Sequence, residues 1–294
     1  MPWRRRGPHH DSGDDTVIVT VIGAGTMGRG IAQAFAQTGN EVILTDTYEK
    51  ALEIAPSEIE KSISRLVKKG LIKEDPHVIL GRIHTTMDLK KSRDSELFVE
   101  AVLEKLEVKS DLYKNLAEIA RPEAIIASNT SSISINQLSS CVSFPERFIG
   151  MHFFNPVPVM KLVEIITCER TSNKTLETVL KITKDLGKDP VTSRDFPGFI
   201  SNRILMPMIR EAILSLEQGV ANREDIDKTL KLGMNHPMGP LELADFIGLD
   251  VTYDIMQVLY HEFGDSRFMP PVTLRNMVNA KKLGRKTGEG FYKY

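Results

Sequence analysis

The sequence predicts an α/β chain in which a doubly wound sheet is followed by an all-helical C-terminal domain. Three observations carry this: a buried strand running into a glycine turn and a helix near the start, alternating strand and helix patterns up to about residue 167, and purely helical periodicity after Pro197. The expected division is a disordered extension over 1–15, an α/β domain over 16–196 and a helical domain over 197–294.

Residues Thr16 to Ile22 (TVIVTVI) form a β-branched apolar run, as expected of a strand buried on both faces of a parallel sheet. A helix is expected from Met27 to about Gln37, closed by Gly39 and Asn40. Glu41 to Asp46 (EVILTD) reads as the second strand. Tyr48 to Lys69 carries Ile59, Ile63, Leu66 and Val67 at helical spacing despite Pro56. Short strands are expected at Ile83–Thr86, Leu97–Val102, Ala124–Ser128, Phe148–His152 and Leu162–Thr167, with a helix at Val108–Ala120. Beyond Pro197, helices are expected around 204–216, 226–232, 241–263 and 272–283. Pro207 should kink the first of these or delay its start, and no alternating strand is expected before Phe291.

Composition excludes several classes. Hydrophobic residues make up 41% and charged residues 26% of 294, enough for a packed core. The net charge of −1 gives no basic excess for a nucleic-acid or membrane-surface partner. No apolar run reaches the ~20 residues of a membrane span. Cys141 and Cys168 have neither metal-ligand spacing nor the number for a disulfide framework, so free thiols in a reducing, cytoplasmic setting are expected, without a metal. The first fifteen residues have three arginines, but His9, His10, Asp11, Asp14 and Asp15 break a targeting pattern.

Gly23-Ala24-Gly25-Thr26-Met27-Gly28 matches G-x-G-x-x-G, with a strand before it, a helix after it and Asp46 at the end of the next strand. The N-terminal domain is therefore read as Rossmann-type. Gly23 makes the sharp turn, Gly25 admits the pyrophosphate and Gly28 lets helix and strand approach. Helix-start N–H groups face the phosphates. Asp46 accepts from ribose hydroxyls and would repel a 2′-phosphate, which points to NAD. The bland alternative is a tight βα turn beside a surface acid.

Three polar clusters remain. Ser128-Asn129-Thr130-Ser131-Ser132 follows a strand at the sheet edge where ligands bind, although Ser and Asn also cap helices. His152 suits proton transfer near neutral pH, and a lone histidine beside aromatics is also a common structural residue. Glu164, an acid inside the apolar run LVEII, needs a partner if buried. His152 is the candidate, and a solvent-facing acid is the alternative. Pro197-Gly198-Phe199-Ile200-Ser201-Asn202-Arg203 sits at the domain junction, where pockets are common, and Asn202 there could equally be a cap.

Together these segments resemble the 3-hydroxyacyl-CoA dehydrogenase family over nearly the whole chain, from about Val17 to Tyr294. The similarity is carried by VIGAGTMGRGIAQAFAQTG, SNTSSISI, MHFFNPVPVMKLVEII, DFPGFISNRIL, GMNHPMGPLELADFIGLD and LGRKTGEGFY, and is nearest to bacterial 3-hydroxybutyryl-CoA dehydrogenases. The resemblance implies an NAD-dependent oxidation of (S)-3-hydroxyacyl-CoA with His152 as general base and Glu164 as its orienting acid. It implies that Ser131 and Asn202 bond the substrate's oxygens and that Asn155 supports the histidine. Asn129, Glu104, Lys109 and Lys286 are implied near the cofactor, and Ser62 and Lys69 near coenzyme A, although the last two also suit a solvated helix face. A homodimer through the helical domain is implied. The competing readings are a dehydrogenase of a free hydroxy acid, of carnitine or gulonate type, and a non-catalytic crystallin-like NAD-binding protein. The segment before Thr16 and Phe268-Met269-Pro270-Pro271 depart from the pattern.

Overall fold

A computed structural model describes residues 17–294; the expected disorder over 1–15 lies outside the described residues. Eight strands form one sheet: β1 (Ile18–Ile22), β2 (Glu41–Thr45), β3 (Ile83–Thr86), β4 (Leu97–Glu100), β5 (Ile125–Ser128), β6 (Phe148–Phe153), β7 (Leu162–Thr167) and β8 (Asp189–Arg194). Their order is β3-β2-β1-β4-β5-β6-β7-β8. The chain therefore reverses direction across the sheet between β1 and β4, and open α/β sheets bind ligands outside the strand ends at such a switch point.

Val19, Val21, Val42, Leu44, Phe98 and Val99 are fully buried, as expected of strands covered on both faces. One face packs α1 (Thr26–Gln37), α2 (Glu49–Lys68), the short α3 (Pro76–Gly81) and, near the far edge, a helix over Asn173–Asp185. The other face packs α4 (Leu106–Ile119) and α5 (Ile135–Ser139) through Tyr113, Leu116 and Leu138. Asn173–Asp185 is α6, and with β8 it completes a crossover that the apolar pattern does not reveal. β8 reads DPVTSR and is mostly exposed, since an edge strand has little to bury.

All strand pairs are parallel except β6 with β7. Residues 154–161 alone join these two, and a parallel pair needs a crossover of a dozen residues or more. The antiparallel register sets His152 directly opposite Glu164.

The helical part comprises α7 (Ser201–Glu217), α8 (Arg223–Gly233), α9 (Pro240–Ile247), α10 (Leu249–Phe263) and α11 (Val272–Asn279) around Met206, Ile209, Ile213, Leu241, Met256 and Leu274. The structure corrects four expectations here. Helix α7 runs through Pro207 from Ser201, so its start is not delayed. The expected helix over 241–263 is two, separated at Gly248, whose φ of 106° no continuous helix accommodates. Helix α11 stops at Asn279, just before Lys281 at φ 60°. Around Phe291 only isolated bridges form, and Asp245 holds that segment by accepting from the N–H groups of Phe291 and Tyr292 at 2.9 Å each.

Candidate active site

The glycine turn lies at the switch point between β1 and α1. Gly23 has φ 105°, and a Cβ on it would lie 2.5 Å from the Ala101 carbonyl oxygen. A Cβ on Gly28 would lie 1.7 Å from the Gly23 carbonyl oxygen, so helix and turn touch there. A Cβ on Gly25 would meet no atom within 4 Å, which leaves the backbone open to an approaching group. Gly25 is also the N-cap of α1 and has no side chain to cap it. The first-turn N–H groups are thus available to an anion.

This turn borders a groove of about 1600 Å³ lined by Gly23, Gly25, Thr26, Met27, Asp46 and Glu104 among others. Ala24 and Gly28 are buried behind the lining. Ala24 acts through its N–H, which donates to Asp46 Oδ2 at 2.7 Å, while Tyr48 N–H donates to Oδ1 at 2.8 Å. The Asp46 carboxylate is thus pinned at the groove by two backbone donors. These features fit a dinucleotide whose ribose hydroxyls meet Asp46. NAD is expected to exceed NADP in kcat/KM by about a hundredfold or more, because facing two like charges costs several kcal/mol. Equal turnover with both cofactors, measured at saturating substrate, would remove this role from Asp46.

Glu104 forms the inner end of the groove. It accepts hydrogen bonds from the Thr130 hydroxyl, from Ser131 N–H at 2.9 Å and from Ser132 N–H at 3.2 Å. Burial alone would raise its carboxyl group, but the Lys109 charge and these donors outweigh it and hold the group below the ordinary carboxylate value. Lys109 itself does not open on the groove. It is 1% exposed, and its ammonium meets Glu100 at 2.6 Å and Glu104 at 3.0 Å. Through Glu104, which lines the groove, Lys109 is linked to the place where the resemblance puts the cofactor.

Ser131 and Asn202 are brought together, since Asn202 Nδ2 donates to the Ser131 carbonyl at 3.3 Å. Asn129 Oδ1 accepts from Phe153 N–H at 2.9 Å and fixes the chain immediately after His152. His152 Nδ1 lies 2.8 Å from Glu164 Oε2, both side chains being nearly inaccessible. The other oxygen of Glu164 accepts from Ile200 N–H at 3.1 Å and Ser201 N–H at 2.9 Å. Gly198 (φ 78°) and Phe199 (φ 50°) deliver these donors. Positive φ on a bulky residue such as phenylalanine is strained, and such strain concentrates at functional sites. Phe154 and Phe199 flank the imidazole at centroid distances of 4.6 and 5.9 Å.

Burial pushes the Glu164 carboxyl up, yet the donors from His152 and Ser201 more than offset this and keep it below its ordinary value. An ionised Glu164 requires the proton on Nδ1, which leaves the Nε2 lone pair as the accepting end of the ring. A continuous path therefore joins groove and histidine: Glu104 to Ser131, Ser131 to Asn202 on α7, and the adjoining Ser201 to Glu164.

Asn155 is exposed in the connection after β6. Lys286 pairs with Asp250 at 2.6 Å within the helical part and is not among the residues lining the groove. Ser62, half-buried, and the exposed Lys69 are seven residues apart on and just past α2, hence on one face, and neither lines the groove.

Sequence reasoning missed Ser201, whose hydroxyl donates to Glu164 Oε2 at 2.9 Å. It also missed Glu100, fully buried, which accepts from Lys109, from Tyr113 at 2.8 Å and from Ser128 at 2.7 Å. Glu100 stands in the apolar run LFVEAV, the same signal that singles out Glu164. Lys90 and Arg93 line the outer groove and carried no motif.

Two family models match the chain: 3-hydroxyacyl-CoA dehydrogenase, NAD binding domain, over 18–196, and 3-hydroxyacyl-CoA dehydrogenase, C-terminal domain, over 198–294. A probable 3-hydroxybutyryl-CoA dehydrogenase of Deinococcus radiodurans is 53% identical, covering 93% of this chain and 99% of the relative. The 3-hydroxybutyryl-CoA dehydrogenase of Clostridioides difficile is 46% identical over 94% and 99%. The crystal structure of (S)-3-hydroxybutyryl-CoA dehydrogenase from Ralstonia eutropha superposes with a TM-score of 0.90 at 46% identity, covering 95% of this chain and 99% of that one.

Proposed function

The chain belongs to the 3-hydroxyacyl-CoA dehydrogenase family, and from that premise we propose that it is an NAD-dependent oxidoreductase interconverting (S)-3-hydroxyacyl-CoA and 3-oxoacyl-CoA, with 3-hydroxybutyryl-CoA as substrate. The observation that carries this reading is the buried His152–Glu164 pair beside Ser131 and Asn202. His152 Nε2 takes the C3 hydroxyl proton. Glu164 stabilises the imidazolium that forms and keeps the ring in the productive tautomer. The Ser131 hydroxyl and the second amide hydrogen of Asn202 hold the substrate's oxygens. NAD, when bound, supplies the acceptor for the C3 hydride. In the reverse direction His152 returns the proton. Phe154 and Phe199 restrict water around the ring.

The substrate is held as its coenzyme A thioester, with Ser62 and Lys69 on the α2 face as the contacts. The assembly is a homodimer in the cytoplasm. Supporting the dimer, the helical part exposes Ile204, Val220, Leu232 and Met234 by 64% or more each. Among the described residues, no helix is long and apolar enough to cross a membrane.

The reading is tested by NADH oxidation with acetoacetyl-CoA and with free acetoacetate. The thioester is expected to show a kcat/KM higher by about a hundredfold or more, because remote binding energy is used to align the reacting carbon. Comparable rates with the free acid would favour the carnitine- or gulonate-type alternative. No turnover of any 3-oxoacyl-CoA would favour the crystallin-like one.

A further inference from the structure

Glu164 presents four acceptor positions, and the fold fills all of them. Oε1 takes the N–H groups of Ile200 and Ser201, and Oε2 takes His152 Nδ1–H and the Ser201 hydroxyl, at 2.8 and 2.9 Å. Ser201 is the first residue of α7, yet it does not cap that helix. Ile200 holds the N-cap position with no side-chain cap bond, and the serine hydroxyl turns to the carboxylate instead.

We propose that Ser201 is a positioning residue for the histidine: by donating to the same Glu164 oxygen that receives His152 Nδ1–H, its hydroxyl fixes that oxygen and moderates how strongly the carboxylate supports the imidazole. This rests on the reading of His152 as the base. The physical reason is shared acceptance. A carboxylate oxygen that takes two donors gives each less electron density than one that takes a single donor. Removing the hydroxyl concentrates charge toward His152, which favours the imidazolium. It also leaves Oε2 held by the imidazole alone, so the ring loses part of its fixed orientation.

Among the described residues, no charged group other than His152 is seen bonded to Glu164. β8 sets Val191 opposite Glu164, and β6 sets His152 opposite it. On α7, Arg203 turns its guanidinium over Phe263 at 4.7 Å and Phe196 at 6.0 Å. Asp195, before the turn, is occupied by Ser134 and Asn136.

The test is the pH profile of kcat/KM for (S)-3-hydroxybutyryl-CoA oxidation in wild type, Ser201→Ala, Ser201→Thr and His152→Gln. In this direction the base acts when neutral, so a more basic His152 moves the acid limb to higher pH. Ser201→Ala is expected to move it up by roughly 0.5–1 unit and to lower the plateau about tenfold. Ser201→Thr, which keeps the hydroxyl, is expected to restore both. An unshifted limb in Ser201→Ala, or the same shift in Ser201→Thr, would overturn the proposal, since packing alone would not distinguish the hydroxyl. If Ser201→Ala precipitates, the limb of Ser201→Thr against Ser201→Cys, a weaker donor of similar size, decides the matter in the same way. His152→Gln separates the two ideas: near wild-type turnover there defeats the base assignment itself. An inactive His152→Gln beside an unshifted Ser201→Ala defeats the role of Ser201 alone.

Discussion

Replacing His152 by glutamine is expected to lower kcat by about 10²–10⁴-fold, the usual contribution of a positioned base, while NADH binds as in wild type. The argument has two parts. Glutamine can place its amide N–H on Glu164 Oε2, where His152 Nδ1 stands at 2.8 Å, so the buried carboxylate keeps a donor and the fold is preserved. The amide has no basic site to accept the substrate proton, so the chemical step suffers. The cofactor groove is lined by the glycine turn, Asp46 and Glu104 and does not include His152. NADH affinity, followed by fluorescence titration, should therefore be unchanged. Turnover near the wild-type rate would exclude His152 as the base. A large loss of NADH affinity would mean that the substitution acts through structure.

The parts of this site that were legible in the sequence are those in which burial and chemistry conflict locally. Asp46 stands out because it ends a buried strand at a fixed distance from a glycine turn. Glu164 stands out because a carboxylate inside an apolar run must find a partner. The same argument applies to Glu100 and would have located the second buried network, Glu100–Lys109–Tyr113–Ser128. What could not be read is the direction of side chains on helices and turns. Lys109 on α4 has the composition of a surface lysine, and only the packing of α4 against β4 and β5 shows that it faces two carboxylates. Ser201 stands in the junction segment without any mark of its own, because a serine that caps a helix and one that donates to a carboxylate leave the same trace in sequence. The antiparallel pairing of β6 with β7 depends on loop length, not on the strands' composition, yet it is what sets His152 against Glu164.

Glu164→Gln is the sharper probe of the pair, because it keeps the shape and removes the charge. The wild-type carboxylate accepts four donors. A glutamine offers one acceptor oxygen and an NH₂ group. If the oxygen keeps the N–H groups of Ile200 and Ser201, the NH₂ faces His152 Nδ1 and the Ser201 hydroxyl. Nδ1 must then accept, so the ring proton moves to Nε2 and the lone pair that should meet the substrate is gone. A kcat loss of about 10³–10⁴-fold is expected, as when other catalytic histidines are left in the wrong tautomer. Stability should fall as well, by about 1–3 kcal/mol at neutral pH, the cost of leaving buried hydrogen-bonding groups mispaired. That loss carries a pH signature. The folded-state Glu164 carboxyl lies below its ordinary value of 4.5, so its contribution is fully present above that pH. It disappears as pH falls through the lower folded-state value. The difference in denaturation midpoint between wild type and Glu164→Gln should thus be wide at pH 7 and close progressively below about pH 4.5. A constant difference across that range would show that Glu164 is not held as a carboxylate by His152 and Ser201, and the orienting role assigned to it would fail with it.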